Sequence, residues 1–373
     1  MDLKFLHTAD IHLDASFSSL GTKESIRRKD LLDCFDRLIN LAIKNEVHLF
    51  VVAGDLFDHP RPSASTVGKV QAGLQRLSDR GIIPVLLPGT HDHIVAPDNI
   101  YHRTNFPGAV LLDAPQVESP TTITIAGVDV HLYGFAYHPR HSSEALKGMK
   151  RHQLNGVHLG LLHGSLKGSP EWDHRPKDLP FTLEDIKGWG LDYVALGHYH
   201  NFSVLRDGDK VLACYPGTPE GRRFGENGSR HCALVSVKSD GVSVEKLSVN
   251  QRVLKEETLD ITGMDNEDEI AEAARRLADP NLILRLTLTG VLERPFEIDQ
   301  LRERCENDFF NLELRDETDL FESALVREIG EEDTVRGLFV RRVRQLLEKV
   351  APEETPILEE ALREVLVRFS RER

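Results

Sequence analysis

Five short stretches of the chain place histidine, carboxylate or both just past an apolar run: Asp10-x-His12, Gly54-Asp55-x-x-Asp58, Gly89-Thr90-His91-Asp92, His163-Gly164 and Gly197-His198-x-His200. A mixed set of aspartates and histidines suits divalent manganese, iron or zinc, whereas an all-oxygen set would suit magnesium or calcium. One carboxylate such as Asp55 can bridge two ions. Two bridged ions about 3.5 to 4 Å apart make a site for in-line displacement at phosphorus, since they lower the pKa of a shared water and neutralise charge on the attacking and leaving oxygens. Hydrolysis of a phosphomonoester or phosphodiester is the reaction class implied. Each stretch alone reads as an ordinary solvated loop; the ordered set of five carries the inference.

The elements that must position these loops are legible from periodicity. An apolar run over 3–6 leads into Asp10 and His12, two apart on a chain read as extended, which would aim both side chains to one side. Residues 24–43 show helical spacing in Leu31, Leu32, Phe35, Leu38, Ile39 and Ala42; 47–53 reads as a strand buried on both faces; 64–78 is a second helix and 82–87 a third strand. The order strand, helix, strand, helix, strand predicts right-handed parallel crossovers with their loops at one sheet edge, so Asp10, Asp55 and His91 converge. Shorter strands follow at 109–112, 121–125, 128–133, 157–162 and 193–196. Two hairpins turn through Asp207-Gly208 and Asp240-Gly241. A sheet of mixed parallel and antiparallel strands is the expected container.

With 373 residues the chain is long enough for two or three domains. All 17 histidines precede residue 251. The net charge of −14 is uneven: residues 251–373 hold 19 basic and 31 acidic residues, a net of −12, which leaves −2 for the first 250. Chemistry therefore belongs to the first two-thirds. After about residue 253 the pattern is strand, helix, strand, helix, strand, read as a small α+β unit whose first helix opens with the Asn266 to Glu269 capping spacing. Two amphipathic C-terminal helices, interrupted by Pro352 and Pro356, follow a linker at 316–319. Cys34, Cys214, Cys232 and Cys305 lack metal or disulfide spacing and read as core residues. No apolar run approaches the roughly 20 residues of a membrane span, and the N-terminus has no signal-peptide layout, so a cytoplasmic protein without a membrane partner is expected.

The ordered set, together with the wording His7-Thr8-Ala9-Asp10-Ile11-His12-Leu13, Gly54-Asp55-Leu56-Phe57-Asp58 and the segment from Tyr215-Pro216-Gly217-Thr218 to Arg222-Arg223-Phe224-Gly225-Glu226, resembles the calcineurin-like metallophosphoesterase superfamily, in particular its SbcD and YhaO type DNA-repair exonuclease branch. The resemblance covers about residues 1–250. It implies a four-layer α/β sandwich of mixed sheets flanked by helices over 1–253, an α+β capping or DNA-binding domain over 254–318 and a C-terminal helical segment over 319–373. It also implies two manganese ions: Asp10, His12, Asp55 and His200 would hold the first, and Asp55, the residue at 90, His163 and His198 the second. His91 would face the substrate phosphate, with Asp92 orienting its ring and Asp58 orienting a ligand.

The sequence departs from the pattern at position 90, where Thr90 replaces an asparagine ligand, and at position 58, where some relatives carry histidine. For a DNA substrate, Arg222, Arg223 and Arg230 are the first candidate contacts, followed by the basic cluster at 138–152. The branch implies a homodimer and an SbcC-type SMC-like ATPase docked on the C-terminal helices. Two other readings stand beside the nuclease: a phosphoesterase of the same fold acting on a small molecule or phosphoprotein, and a scaffold whose metal site Thr90 has weakened.

Overall fold

The computed structural model describes residues 2–138, 144–169, 178–264, 266–292, 296–320 and 323–371. They form two compact units, one of 1–222 with 228–251, the other of 223–227 with 252–373.

In the first unit the chain runs through β1 (Leu3–Thr8), α1 (Glu24–Lys44), β2 (Leu49–Ala53), α2 (Ala64–Ser78), β3 (Ile83–Leu87), α3 (Ile100–Arg103) and β4 (Val110–Leu111). It continues through β5 (Thr121–Ile125), β6 (Val128–Gly134), β7 (Val157–His163), α4 (Leu183–Trp189), β8 (Tyr193–Gly197), β9 (Ser203–Asp207), β10 (Lys210–Tyr215), β11 (His231–Lys238) and β12 (Gly241–Ser248). Two six-stranded sheets result, ordered β12-β11-β1-β2-β3-β4 and β5-β6-β7-β8-β10-β9. β1 to β4 are mutually parallel, as are β6, β7, β8 and β10, while β11, β12, β5 and β9 join antiparallel.

Strand alternation builds the layers. Leu49, Val51 and Ala53 point into a core shared with Leu159, Leu161, Tyr193 and Ala195 of the second sheet. Phe50 and Val52 point the other way, onto Phe35, Leu38 and Ile39 of α1 and Val70 and Leu74 of α2. The far face of the second sheet packs Leu162, Leu196 and Tyr215 against Ile186 and Trp189 of α4. Helix, sheet, sheet, helix is the expected four-layer sandwich. Burying each such side chain is worth about 1.5 to 3 kcal/mol, enough to hold the parallel strands in register so that their C-terminal ends share one edge. All four cysteines are buried and unpaired.

The second unit contains β13 (Val253–Asp260), α5 (Glu267–Arg275), β14 (Asp279–Thr289), α6 (Ile298–Cys305), β15 (Phe309–Asp316), α7 (Ala324–Glu331), α8 (Val335–Leu347) and α9 (Thr355–Arg371). Its sheet, β13-β14-β15, is wholly parallel, so the small α+β unit read from the sequence is built of two strand-helix-strand crossovers. Asn266 caps α5 by accepting from the Glu269 amide, as its spacing predicts. Three helices follow rather than two, and Pro356 lies in the first turn of α9 instead of breaking it, because a first-turn amide needs no partner. Val326, Ile329, Val340, Val343, Leu362 and Leu366 from these helices complete the same core as Leu284, Leu286 and Leu288. No helix among the described residues is long and apolar enough to cross a membrane.

Candidate metal centre

Every metal-ligand candidate lies at or just beyond the C-terminal end of β1, β2, β3, β7 or β8. The backbone there differs from the extended reading. Asp10 (φ 53°), His12 (φ 51°) and Asp55 (φ 51°) are left-handed, and His198 has φ 104°. The common aim of Asp10 and His12 thus comes from two kinks and not from strand alternation. Gly89 lets the third loop approach: a Cβ there would stand 2.2 Å from Asp55 Oδ1.

Three groups of donor atoms result among the described residues: His12, Asp58 and His91 form one at the more exposed rim, and two lie deeper. Asp10, His12 and His200 place ligand atoms within 4.8 Å of one another, and Asp10, Asp55 and His163 do the same. Asp55 Oδ2 lies between them, 3.8 Å from His12 Nε2 and 3.3 Å from His163 Nε2, the position of a bridging carboxylate. Thr90 Oγ1 donates to the same oxygen at 3.1 Å and lies 3.4 Å from His163 Nε2, so its hydroxyl stands at the corner assigned to the second ion. The His198 amide donates to both Asp10 oxygens, at 3.2 and 3.0 Å, and its ring centroid is 5.2 Å from that of His163.

The residues fit divalent ions that accept nitrogen and oxygen together. Both ring nitrogens of His12 are buried without a formed hydrogen bond although Nδ1 stands 3.1 Å from Asp58 Oδ1 and Nε2 3.8 Å from Asp55 Oδ2, the environment of a ligand rather than of a satisfied core histidine. Protonation states agree. Burial, reinforced by the Arg222 guanidinium, pushes His12 down to about 3, and burial beside His163 pushes His198 down to about 3, so both rings are neutral ligands. Burial opposes charge on His163, but Asp55 and Asp10 outweigh it and carry the ring up to about 10. Burial raises Asp10, whereas Asp55, despite its burial, is held well below the carboxylate range by His163.

His91 is 48% exposed and stacks edge-on against His12, ring centroids 4.7 Å apart. Its amide donates to Asp55 Oδ1 at 2.8 Å, and its Nδ1 sits 3.1 Å from the Asp58 carbonyl and 3.5 Å from Asp58 Oδ1. The ring is thus oriented by Asp58. Asp92 does something else: its fully buried carboxylate accepts from the Phe57 amide (3.1 Å), the Gly89 amide (2.7 Å) and Tyr101 Oη (2.6 Å), stapling the second loop to the third. Burial and the nearby Asp55 raise its pKa to about 6. The ring-orienting role expected of Asp92 fails because three closer donors claim both of its oxygens.

Asp58 Oδ1 stands 3.1 Å from His12 Nδ1. The neighbouring His59 lies 3.6 Å from Asp14. Arg222, expected on DNA, is 15% exposed and pairs with Asp58 Oδ1 at 2.7 Å. Arg223 is 65% exposed and pairs with Glu226 at 3.1 Å. Arg230 is buried and its guanidinium donates to the carbonyl of His200 and to Asn201, which removes it from any DNA surface. Arg140 of the second basic cluster lies outside the described residues. Sequence reasoning missed Tyr101 and the Thr218 hydroxyl, which donates to the Asp10 carbonyl at 2.8 Å; neither sits at a spacing that signals a role.

Residues 3–202 match the calcineurin-like phosphoesterase family. Over 345 residues the chain is 30% identical to the uncharacterized metallophosphoesterase YhaO of Bacillus subtilis, covering 85% of this chain and 82% of that protein. It is 24% identical to the DNA double-strand break repair protein Mre11 of Methanopyrus kandleri, with 90% and 74% covered. To the SbcD component of the nuclease SbcCD of Escherichia coli it is 26% identical, with 66% and 68% covered. With a matching family domain over more than half its length and the aspartates and histidines of five loops gathered at one sheet edge, the chain belongs to the calcineurin-like phosphoesterases.

Proposed function

We propose that this protein is a two-metal DNA exonuclease, manganese its working ion, that hydrolyses phosphodiester bonds in DNA repair together with an SbcC-type SMC-like ATPase. The observation that carries the reading is the placement of the half-exposed His91 against a buried cluster of Asp10, His12, Asp55, His163 and His200, with the partly buried His198 beside His163. Bound divalent ions would supply charge neutralisation at phosphorus and acidify a water. Asp10, His12 and His200 would hold one, Asp55 both, and His163, His198 and Thr90 the second. The chain's own contribution is placement and proton transfer. With Nδ1 directed at the Asp58 carbonyl, the His91 ring keeps Nε2 for the leaving oxygen, and the protonated ring can donate there.

DNA as substrate is supported by the relatives named for break repair and nuclease activity. Exposed Val335, Leu338 and Ile357 on α8 and α9 suit helix-in-groove docking of the ATPase. Homodimerisation and a cytoplasmic location complete the proposal. The test incubates wild type and His91→Ala with blunt duplex DNA and manganese. Degradation by wild type alone supports it. An intact duplex beside a cleaved chromogenic phosphodiester refutes DNA as substrate. If both substrates survive while manganese is bound, the scaffold reading takes its place.

A further inference from the structure

One oxygen at the edge of the site serves three side chains. Asp58 Oδ1 takes the Arg222 guanidinium at 2.7 Å and stands 3.1 Å from His12 Nδ1 and 3.5 Å from His91 Nδ1. We propose that Arg222 is a positioning residue of the metal centre: by pinning Asp58 it fixes the His12 tautomer that leaves Nε2 as the ligand atom, and it sets the His91 ring. The inference rests on the two-metal reading and adds to it a residue that the five loops do not contain.

The chemistry follows from His12. A neutral imidazole carries one N–H. Both ring nitrogens of His12 are buried without a formed hydrogen bond, but Nδ1 stands 3.1 Å from Asp58 Oδ1 and Nε2 3.8 Å from Asp55 Oδ2, so a proton held on Nδ1 by the Asp58 carboxylate leaves the lone pair on Nε2. An outer carboxylate that fixes a ligating histidine commonly governs metal affinity by 10- to 100-fold. Asp58 is 24% exposed, so on its own it could rotate towards solvent. The charge-assisted bond from Arg222 holds it in place.

Arg222 is itself delivered by a rigid arm. Glu220, two residues before it, is fully buried between Arg27 at 3.0 Å and the Gln251 amide at 2.6 Å. Thr218 is bonded to the carbonyl of the ligand Asp10. A side chain that is 15% exposed at the end of such an arm is built to hold a neighbour, whereas a contact to the DNA backbone needs an accessible cation.

The test compares wild type, Arg222→Met, Arg222→Lys, Asp58→Asn and the Arg222→Met/Asp58→Asn double variant. Manganese affinity is measured by electron paramagnetic resonance titration, turnover with a chromogenic phosphodiester, and the His12 tautomer by 15N-histidine spectra of chelator-treated protein. Arg222→Met should weaken manganese about 10-fold, mix the His12 tautomers and lower kcat with little change in KM. Arg222→Lys should recover part of the affinity. The double variant should be no weaker than Asp58→Asn, since both changes break one chain of contacts. Unchanged affinity and tautomer in Arg222→Met, with a raised KM for DNA and a shallower salt dependence, would overturn the proposal in favour of a phosphate contact. Additive losses would overturn it as well. Should Arg222→Met melt early, the lysine variant and Asp58→Asn decide through the tautomer. A wild type that binds manganese and cleaves nothing refutes the nuclease reading, while the affinity and tautomer measurements still judge Arg222.

Discussion

Loading metal into chelator-treated protein should release at least one proton near pH 7.5, and His163 is the first source. A ligating imidazole must be neutral. His12 and His198, pushed down to about 3, already are; His163, carried up to about 10 by Asp55 and Asp10, is not. Removing that proton at pH 7.5 costs about 3 kcal/mol, or roughly 300-fold in apparent affinity, and the penalty shrinks tenfold per pH unit until about pH 10. The sign for stability follows. His163 has a folded pKa above its ordinary 6.5, so its ion pairs support the metal-free fold fully below that value and fade as pH rises through about 10. Titration calorimetry in two buffers of different ionisation enthalpy counts the protons. A count near zero, with affinity independent of pH, would refute the assignment of His163 as a charged histidine that metal must displace.

Other consequences concern the supports of the site. Asp92→Ala strands two buried amides and the Tyr101 hydroxyl, which at about 1 kcal/mol or more each should lower stability in urea unfolding by roughly 3 kcal/mol. Gly89→Ala puts a methyl carbon 2.2 Å from Asp55 Oδ1, so calorimetry should find binding weakened at both ions that Asp55 would hold. Glu220→Ala takes one of two carboxylates from the buried Arg27, leaving Asp30, the Gly221 carbonyl and the Phe17 ring; the loss, below the roughly 3 to 5 kcal/mol of a fully uncompensated buried charge, should show as a fall in melting temperature. Thr90→Val removes the donor to Asp55 at similar volume and should weaken the second ion more than the first in a manganese titration.

What could be read before folding, and what could not, separates along physical lines. The buried strand at 49–53 and the helices at 24–44 and 64–78 are visible because apolar period and length are local properties. The five loops are visible because parallel crossovers send strand ends to one edge whatever the loop sequence. Backbone sign is not local in this way: nothing in Asp10-Ile11-His12 announces φ near +50°, which follows from the loop's bonding to its neighbour. Nor does sequence distance reveal that Arg222 would meet Asp58, or that Asp92 would spend its carboxylate on Tyr101 rather than on His91. Charged side chains choose among partners by distance, and long-range partners are set only once the sheets pack.

The left-handed residues bear on how the site works. Each of Asp10, His12 and Asp55 gives up about 1 kcal/mol or more to hold φ above zero. That cost is met by a backbone ladder that continues β1 and β2 beyond their ends: the amides of Asp10, His12 and Leu13 donate to the carbonyls of Gly54, Asp55 and Leu56 at 3.1, 3.0 and 2.9 Å, and Asp58 donates back to Leu13 at 2.9 Å. Four bonds zipped in sequence over a packed core make the ligand geometry a property of the fold rather than of the ion. Hydrogen exchange of those four amides should therefore change by less than about tenfold when metal is chelated, an opening energy altered by under about 1.4 kcal/mol. Protection that collapses by orders of magnitude on chelation would mean that the ions assemble the loops, and the ladder would then be their product rather than their mould.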